Sequence, residues 1–243
     1  MKIRCYKNFD DLFYSFNREL LLEPNFDYVY SGIGYVDNVM FKCDSFDCTL
    51  NIADFGYKKN KWTNYSASMV GKDSYEEFKQ ECENSKSTCC IFNFALKGMT
   101  KGGSLLCIVL KRHGFKGKWK SCNVFIRTTE INRSFAVDLV LISVFLKGLP
   151  KCNLDEINIF CAQSYIASIK TYPLLEYFDV GLEELDETTP FVKCMRNAKK
   201  NYYTDKQKLS NYCGVKNLQK MYFEDKEAPE IRVLDLEIGE TPK

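Results

Sequence analysis

The spacing of hydrophobic and polar positions changes period several times along the chain, and each change predicts an element. Residues 1–5 read as a short strand. From Asn8 to Leu22, Phe9, Leu12, Phe13, Phe16 and Leu20 fall on one face of an amphipathic helix that Pro24 closes. Asn25–Asp37, with Gly32, Gly34 and several tyrosines, reads as a loop, and Val39–Ile52 alternates well enough for one long strand or a hairpin. Residues 53–72 are polar and rich in Gly, Ser and Asn, the pattern of a loop. Ser74 and Glu77 stand at capping-box spacing before a helix over Tyr75–Glu83, with Glu76 and Glu77 on its solvated face. Thr88–Leu96 is the next expected strand.

The densest pattern lies between Leu105 and Leu149. Leu105–Lys111 is short and apolar, residues 113–118 carry turn chemistry, and Trp119–Thr128 alternates again, so the stretch predicts a β-hairpin. With the turn centred on Gly117, residue i faces residue 234 − i, which sets Cys107 opposite Arg127. A guanidinium in that place favours the nucleophilic thiolate. The plainer reading is a buried core Cys near an Arg that snorkels outward or pairs with Glu130. Ser134–Lys147 follows as a helix apolar on nearly every face, interrupted by Asp138. That acid is either a first-turn carboxylate favoured by the helix dipole or a ligand-reading group, and composition does not choose. Leu154–Ala162 reads as a strand and Ser164–Phe178 as helical. Residues 182–226 are charged, with weak helical signals at Glu183–Glu187 and Lys193–Lys208.

Composition narrows the class. At 243 residues and 45% hydrophobic content the chain suits one α/β domain, a mixed, twisted sheet with helices mainly on one face, able to bury roughly 70% of its unfolded surface. A formal charge of +2 gives no bulk bias toward polyanions. No apolar run is long enough to span a bilayer and no signal-peptide pattern opens the chain, so a cytoplasmic protein is expected. The 12 cysteines include no C-x-x-C pair; they suit small buried hydrophobes in a reducing compartment better than zinc ligands or a disulfide ladder. The single His, His113, falls in the hairpin turn, a poor place for a Ser-His-Asp or Cys-His mechanism.

The hairpin-and-helix stretch resembles the core of the thymidylate synthase family, which includes the pyrimidine hydroxymethylases. That family carries a nucleophilic Cys on a strand, then Arg-Ser-x-Asp, then Gly-x-Pro-Phe-Asn opening a buried helix. Cys107 stands at the family's distance from Arg127 (127 − 107 = 20). Arg127-Thr128-Thr129-Glu130 stands where Arg-Ser-x-Asp would be, and Ser134-Phe135-Ala136-Val137-Asp138 where Gly-x-Pro-Phe-Asn would be (138 − 127 = 11). The resemblance covers the chain from end to end, dense at 105–138 and thin elsewhere. It implies a single domain over 1–243 with a core at 88–178, a divergent part at 182–243, and a closing strand over 227–234.

The resemblance implies addition of the Cys107 thiolate to C6 of a pyrimidine. C5 would then attack a one-carbon unit carried by methylenetetrahydrofolate. Arg127 would lower the thiol pKa and touch the phosphate, with Thr128 and Glu130 beside it. Asp138 would read the base edge, with a cytosine-type ring favoured because an ionised carboxylate only accepts. Tyr165 and Ala167 stand at the family's sugar-binding His-x-Tyr pair. The family pattern also brings a homodimer across the sheet face free of helices. Departures are equally visible. No Arg lies between Arg18 and Arg112, Ser87 and Thr88 replace two cross-dimer arginines, and the family's active-site Glu after Lys61-Trp62-Thr63-Asn64-Tyr65 has no clear counterpart. Each lost charge-assisted bond removes roughly 1.5–3 kcal/mol of nucleotide binding. The partner is therefore a pyrimidine nucleotide or a pyrimidine within nucleic acid, or the chain is a non-catalytic relative serving as a structural or interaction subunit. A reading without the family is an α/β protein with a buried, unreactive Cys107.

Overall fold

The computed structural model describes residues 2–94, 104–114, 117–171, 174–198, 200 and 230–240. Among these, strands β1 (Lys2–Tyr6), β2 (Tyr28–Tyr30), β3 (Ile33–Cys43), β4 (Cys89–Asn93), β5 (Leu105–Lys111), β6 (Trp119–Glu130) and β7 (Cys152–Ala167) share one sheet. Their spatial order is β1-β3-β7-β6-β5-β4, with β2 paired to β3. The sheet is mixed: β1 runs parallel to β3 and β6 parallel to β7, while the other pairs are antiparallel. The helices are α1 (Phe9–Leu22), α2 (Lys59–Met69), α3 (Lys72–Asn84), α4 (Ser134–Lys147), the single turn α5 (Ser168–Thr171) and α6 (Pro190–Ala198).

Helices α1 to α4 cover one face of the sheet, and one continuous core fills the space between. Asn8 begins α1 by accepting the Asp11 N–H at 2.9 Å, while Asp10 and Asp11 place negative charge in its first turn. Its apolar stripe delivers Phe16 against Phe41 of β3 at 4.8 Å, and Phe41 in turn meets Phe135 of α4 at 5.5 Å. Helix α4 is apolar all round because it is buried nearly all round, as such composition requires. Phe78 of α3 closes the other end against Phe92 and Phe145.

One irregularity runs across the sheet and decides what faces the helices. On β6, Cys122, Val124 and Ile126 point into the core, but the next inward residue is Thr129, three positions on. The same change of phase occurs on β7, from Cys161 to Ser164, and on β3, from Val36 to Val39, where Asn38 takes φ +53°. On β5 it is a bulge: Leu105 pairs with Ile126 and Cys107 with Phe125, so Leu106 is an extra residue. These steps lie in register, since Val39 pairs with Cys161 and Cys161 with Ile126.

The stretch expected as a loop over 25–37 holds β2 and the first half of β3, with Gly34 lying against the Phe26 ring where a Cβ has no room. The stretch expected as a loop over 53–72 contains α2, whose buried side is Trp62, Ser66 and Met69. Helix α3 starts at Lys72 behind Gly71, so Ser74 lies inside it and makes no capping box. Strand β7 continues to Ala167 where a helix was expected, and the described residues after Glu230 form a turn at Val233–Asp235 rather than a strand. Of the helices expected beyond 182, α6 is described, while the remainder of Lys193–Lys208 beyond it, residue 200 excepted, and the last two residues of the strand expected over Thr88–Leu96 lie outside the described residues.

Candidate functional site

The site is built around Asp138, one turn into α4 and 1% exposed. Three hydroxyls from three other segments donate to its carboxylate. Tyr65, brought by α2, makes a short hydrogen bond to Oδ1; Ser104, at the entrance to β5, donates to Oδ1 at 3.0 Å; Thr129 of β6 donates to Oδ2 at 3.2 Å. Burial pushes the Asp138 carboxyl up to about 6, and the three hydroxyl bonds restrain the rise. The Tyr65 phenol is driven well above its ordinary value by burial and by the Asp138 charge, so it remains a donor.

Around this centre lie aromatic and charged groups. The Tyr57 ring meets Tyr65 edge-on at 5.7 Å, and the Lys61 ammonium sits over Tyr57 at 4.0 Å. Desolvation and the nearby Arg133 charge lower Lys61. Arg133, at the head of α4, pairs with Glu130 at 3.3 Å, and Glu130 is 2% exposed. Glu130 pairs across the sheet with Tyr165, whose ring lies 6.1 Å from Tyr35. Burial raises the Tyr165 hydroxyl, with the Glu130 charge adding to it.

The residues expected to carry chemistry do not all meet. The hairpin turn is centred one residue earlier than Gly117, so the pairing rule is 232 − i, and Cys107 faces Phe125 and Asn93 rather than Arg127. The neighbour of Arg127 across the hairpin is Ser104, whose carbonyl accepts the Arg127 N–H at 2.8 Å. Cys107 lies half-buried on the sheet face away from the helices, and burial raises its thiol, the reverse of the expected activation. Arg127 is exposed at the sheet irregularity and Thr128 half-buried beside it. Glu130 and Tyr165 are neighbours, as the strand pairing requires, and Glu130 pairs with Arg133. The equal spacing of 20 residues was misleading because the connection between β5 and β6 spans residues 112–118 and β5 then gains a bulge.

Sequence reasoning missed Tyr65, Ser104 and Thr129. Strict alternation points Thr128 inward, and only the change of phase on β6 turns Thr129 toward α4. No local signal in β6 announces that step. No family model matches the chain, and no curated protein matches it.

Proposed function

We propose that the chain is a thymidylate synthase-like protein that binds a pyrimidine base at Asp138 without attacking it, serving as a non-catalytic binding or interaction subunit. The observation that carries this reading is the placement of Ser104, not Cys107, beside Arg127 and Asp138. A thiol raised by burial and set opposite Phe125 has neither an activating cation nor a base within its strand pair. The order of strand, strand and helix, with Arg127, Thr128, Glu130 and Asp138 in sequence along it, supports the family likeness. Equilibrium dialysis tests the binding half. Wild-type protein retains dCMP, Asp138→Ala loses it by tenfold or more, and retention equal in both variants contradicts the assignment.

The second reading is a pyrimidine C5 methyl- or hydroxymethyltransferase, and the near-neutral buried carboxylate favours it, since a group poised there can exchange a proton with a bound ring. That reaction takes its one-carbon unit from methylenetetrahydrofolate. The residues present do not fit the opening step, because the thiol that would begin it lies on the other face of the sheet. A homodimer belongs to both readings. Among the described residues, the sheet face free of helices carries the stacked pair Phe125 and Phe160, centroids 5.0 Å apart, with exposed Ile91 and Leu106, beside a polar row of Asn123, Asn158 and the Lys42–Glu156 ion pair, and it is the surface offered to a second copy. A cytoplasmic setting fits the free cysteines among the described residues.

A further inference from the structure

At the end of the sheet where the β5–β6 hairpin turns, a cavity of about 630 Å³ opens beside the first residue of β4. Cys89, Lys111, Ser121 and Glu156 stand opposite one another in turn across β4, β5, β6 and β7, so their side chains share one face. It is the face away from the helices, since the adjoining Cys90, Leu110, Cys122 and Ile157 are buried in the core. Arg112 closes the cavity from within. Only 5% exposed, it lies over the Trp119 ring at 4.2 Å and donates to the carbonyls of Ser85, Ser87 and Gly117.

The charges here do not cancel. The two acids of the cavity are each held by a lysine, Asp155 by Lys120 at 2.9 Å and Glu156 by Lys42 at 2.8 Å. Among the described residues no acid pairs with Lys111 or with Arg112, whose carbonyl partners supply dipoles and no counter-ion. The cavity thus combines two unmatched cations, the hydroxyls of Thr88 and Ser121, and the part-exposed Cys89 thiol directly opposite Lys111.

We propose that this cavity is a binding and modification site for a small disulfide bearing carboxylates, which exchanges with Cys89 and leaves a mixed disulfide on the protein. Lys111 and Arg112 attract the carboxylates, and the Thr88 and Ser121 hydroxyls donate to them. The Cys89 thiolate attacks one sulfur of the disulfide. One S–S bond forms as the other breaks; the Cys89 sulfur is oxidised, and the departing half leaves as a reduced thiolate that takes up the proton Cys89 released. The three sulfurs share negative charge during exchange, a distribution that neighbouring cations favour. A second thiol reverses the step, so the mark is removable in a reducing compartment. The site lies on the opposite face of the sheet from Asp138 and is independent of the pyrimidine reading.

The other sheet thiols outside the core lack this combination. Cys107 faces Asn93 and Phe125, and Cys152 faces Trp119 and is pushed up to about 11 by burial. Exposed Cys5 faces Lys42, but Glu156 already holds that lysine. Cys5 is therefore an internal reference for plain accessibility.

The test exposes the reduced full-length chain briefly to oxidised glutathione, an anionic disulfide, or to cystamine, a cationic one. Peptide mass spectrometry then reads the modification at each cysteine. At low salt the ratio of Cys89 to Cys5 modification is expected to be about tenfold higher with oxidised glutathione, and about 0.5 M salt should shrink the difference. Lys111→Gln lowers the glutathione ratio severalfold, whereas Asp155→Asn, which frees Lys120, raises it. Opposite shifts from two exposed positions exclude damage to the fold. Equal ratios for the two disulfides, or a Cys89 left unmodified by oxidised glutathione, overturn the site. A ratio unmoved by both substitutions overturns recognition through these charges.

Discussion

Among the described residues, Asp138 is held by three hydroxyls and no cation, an arrangement that leaves its charge in a poorly solvated place. The folded chain therefore keeps the Asp138 proton up to about pH 6, whereas an ordinary aspartate in the unfolded chain loses it near pH 4. A carboxyl raised in this way contributes stability that is fully present below the unfolded value and lost as pH rises through the folded one. Relative to Asp138→Asn, the wild type is expected to lose up to about 3 kcal/mol between pH 4 and 7. Urea unfolding of both proteins across that range measures the difference, and parallel curves would exclude a raised carboxyl. Cys107 makes the opposite contrast with the expected nucleophile. Mass spectrometry after brief alkylation at pH 7 should find exposed Cys5 modified ahead of half-buried Cys107.

At the scale of elements, legibility followed the regularity of the pattern. Helix α4 appears with the bounds its apolar run implies, and α1 differs only in Asn8, which caps it. Helix α2 was hidden because its buried side includes Ser66, whose hydroxyl accepts the Gly239 N–H at 2.9 Å instead of packing against hydrocarbon. The end of β7 was hidden because Ser164 and Ile166 point inward after the phase change, a spacing that single-period reasoning assigns to a helix. Asp138 was legible as an acid in an apolar helix. Its three donors were not, since their convergence depends on pairing register and on the packing of α2. The Trp62 indole N–H donates to the Glu237 carbonyl at 2.9 Å while its ring is buried, so α2 and residues 230–240 stand or fall together. Trp62→Ala is expected to cost about 3–5 kcal/mol, and hydrogen exchange should quicken in both segments at once. Exchange confined to α2 would separate them.

Among the described residues, helices cover one face of the sheet and leave the other bare. No helix among the described residues is long and apolar enough to cross a membrane. The bare face, with its Phe125–Phe160 stack, predicts a two-chain mass by light scattering at micromolar concentration, and Phe125→Asp should return a monomer with unchanged helix content. A monomeric wild type would remove the dimer. The same architecture puts the Cys107 thiol on the bare face and the Asp138 carboxylate under the helices, and the functional proposal turns on that separation. The measurement that tests it most directly is release of tritium from C5-labelled dCMP and dUMP, with and without methylenetetrahydrofolate, beside Cys107→Ser. Attack at C6 loosens the C5 hydrogen even when the full reaction stalls. No release above the Cys107→Ser background is expected from either nucleotide; release that depends on Cys107 would make the chain a pyrimidine C5 transferase.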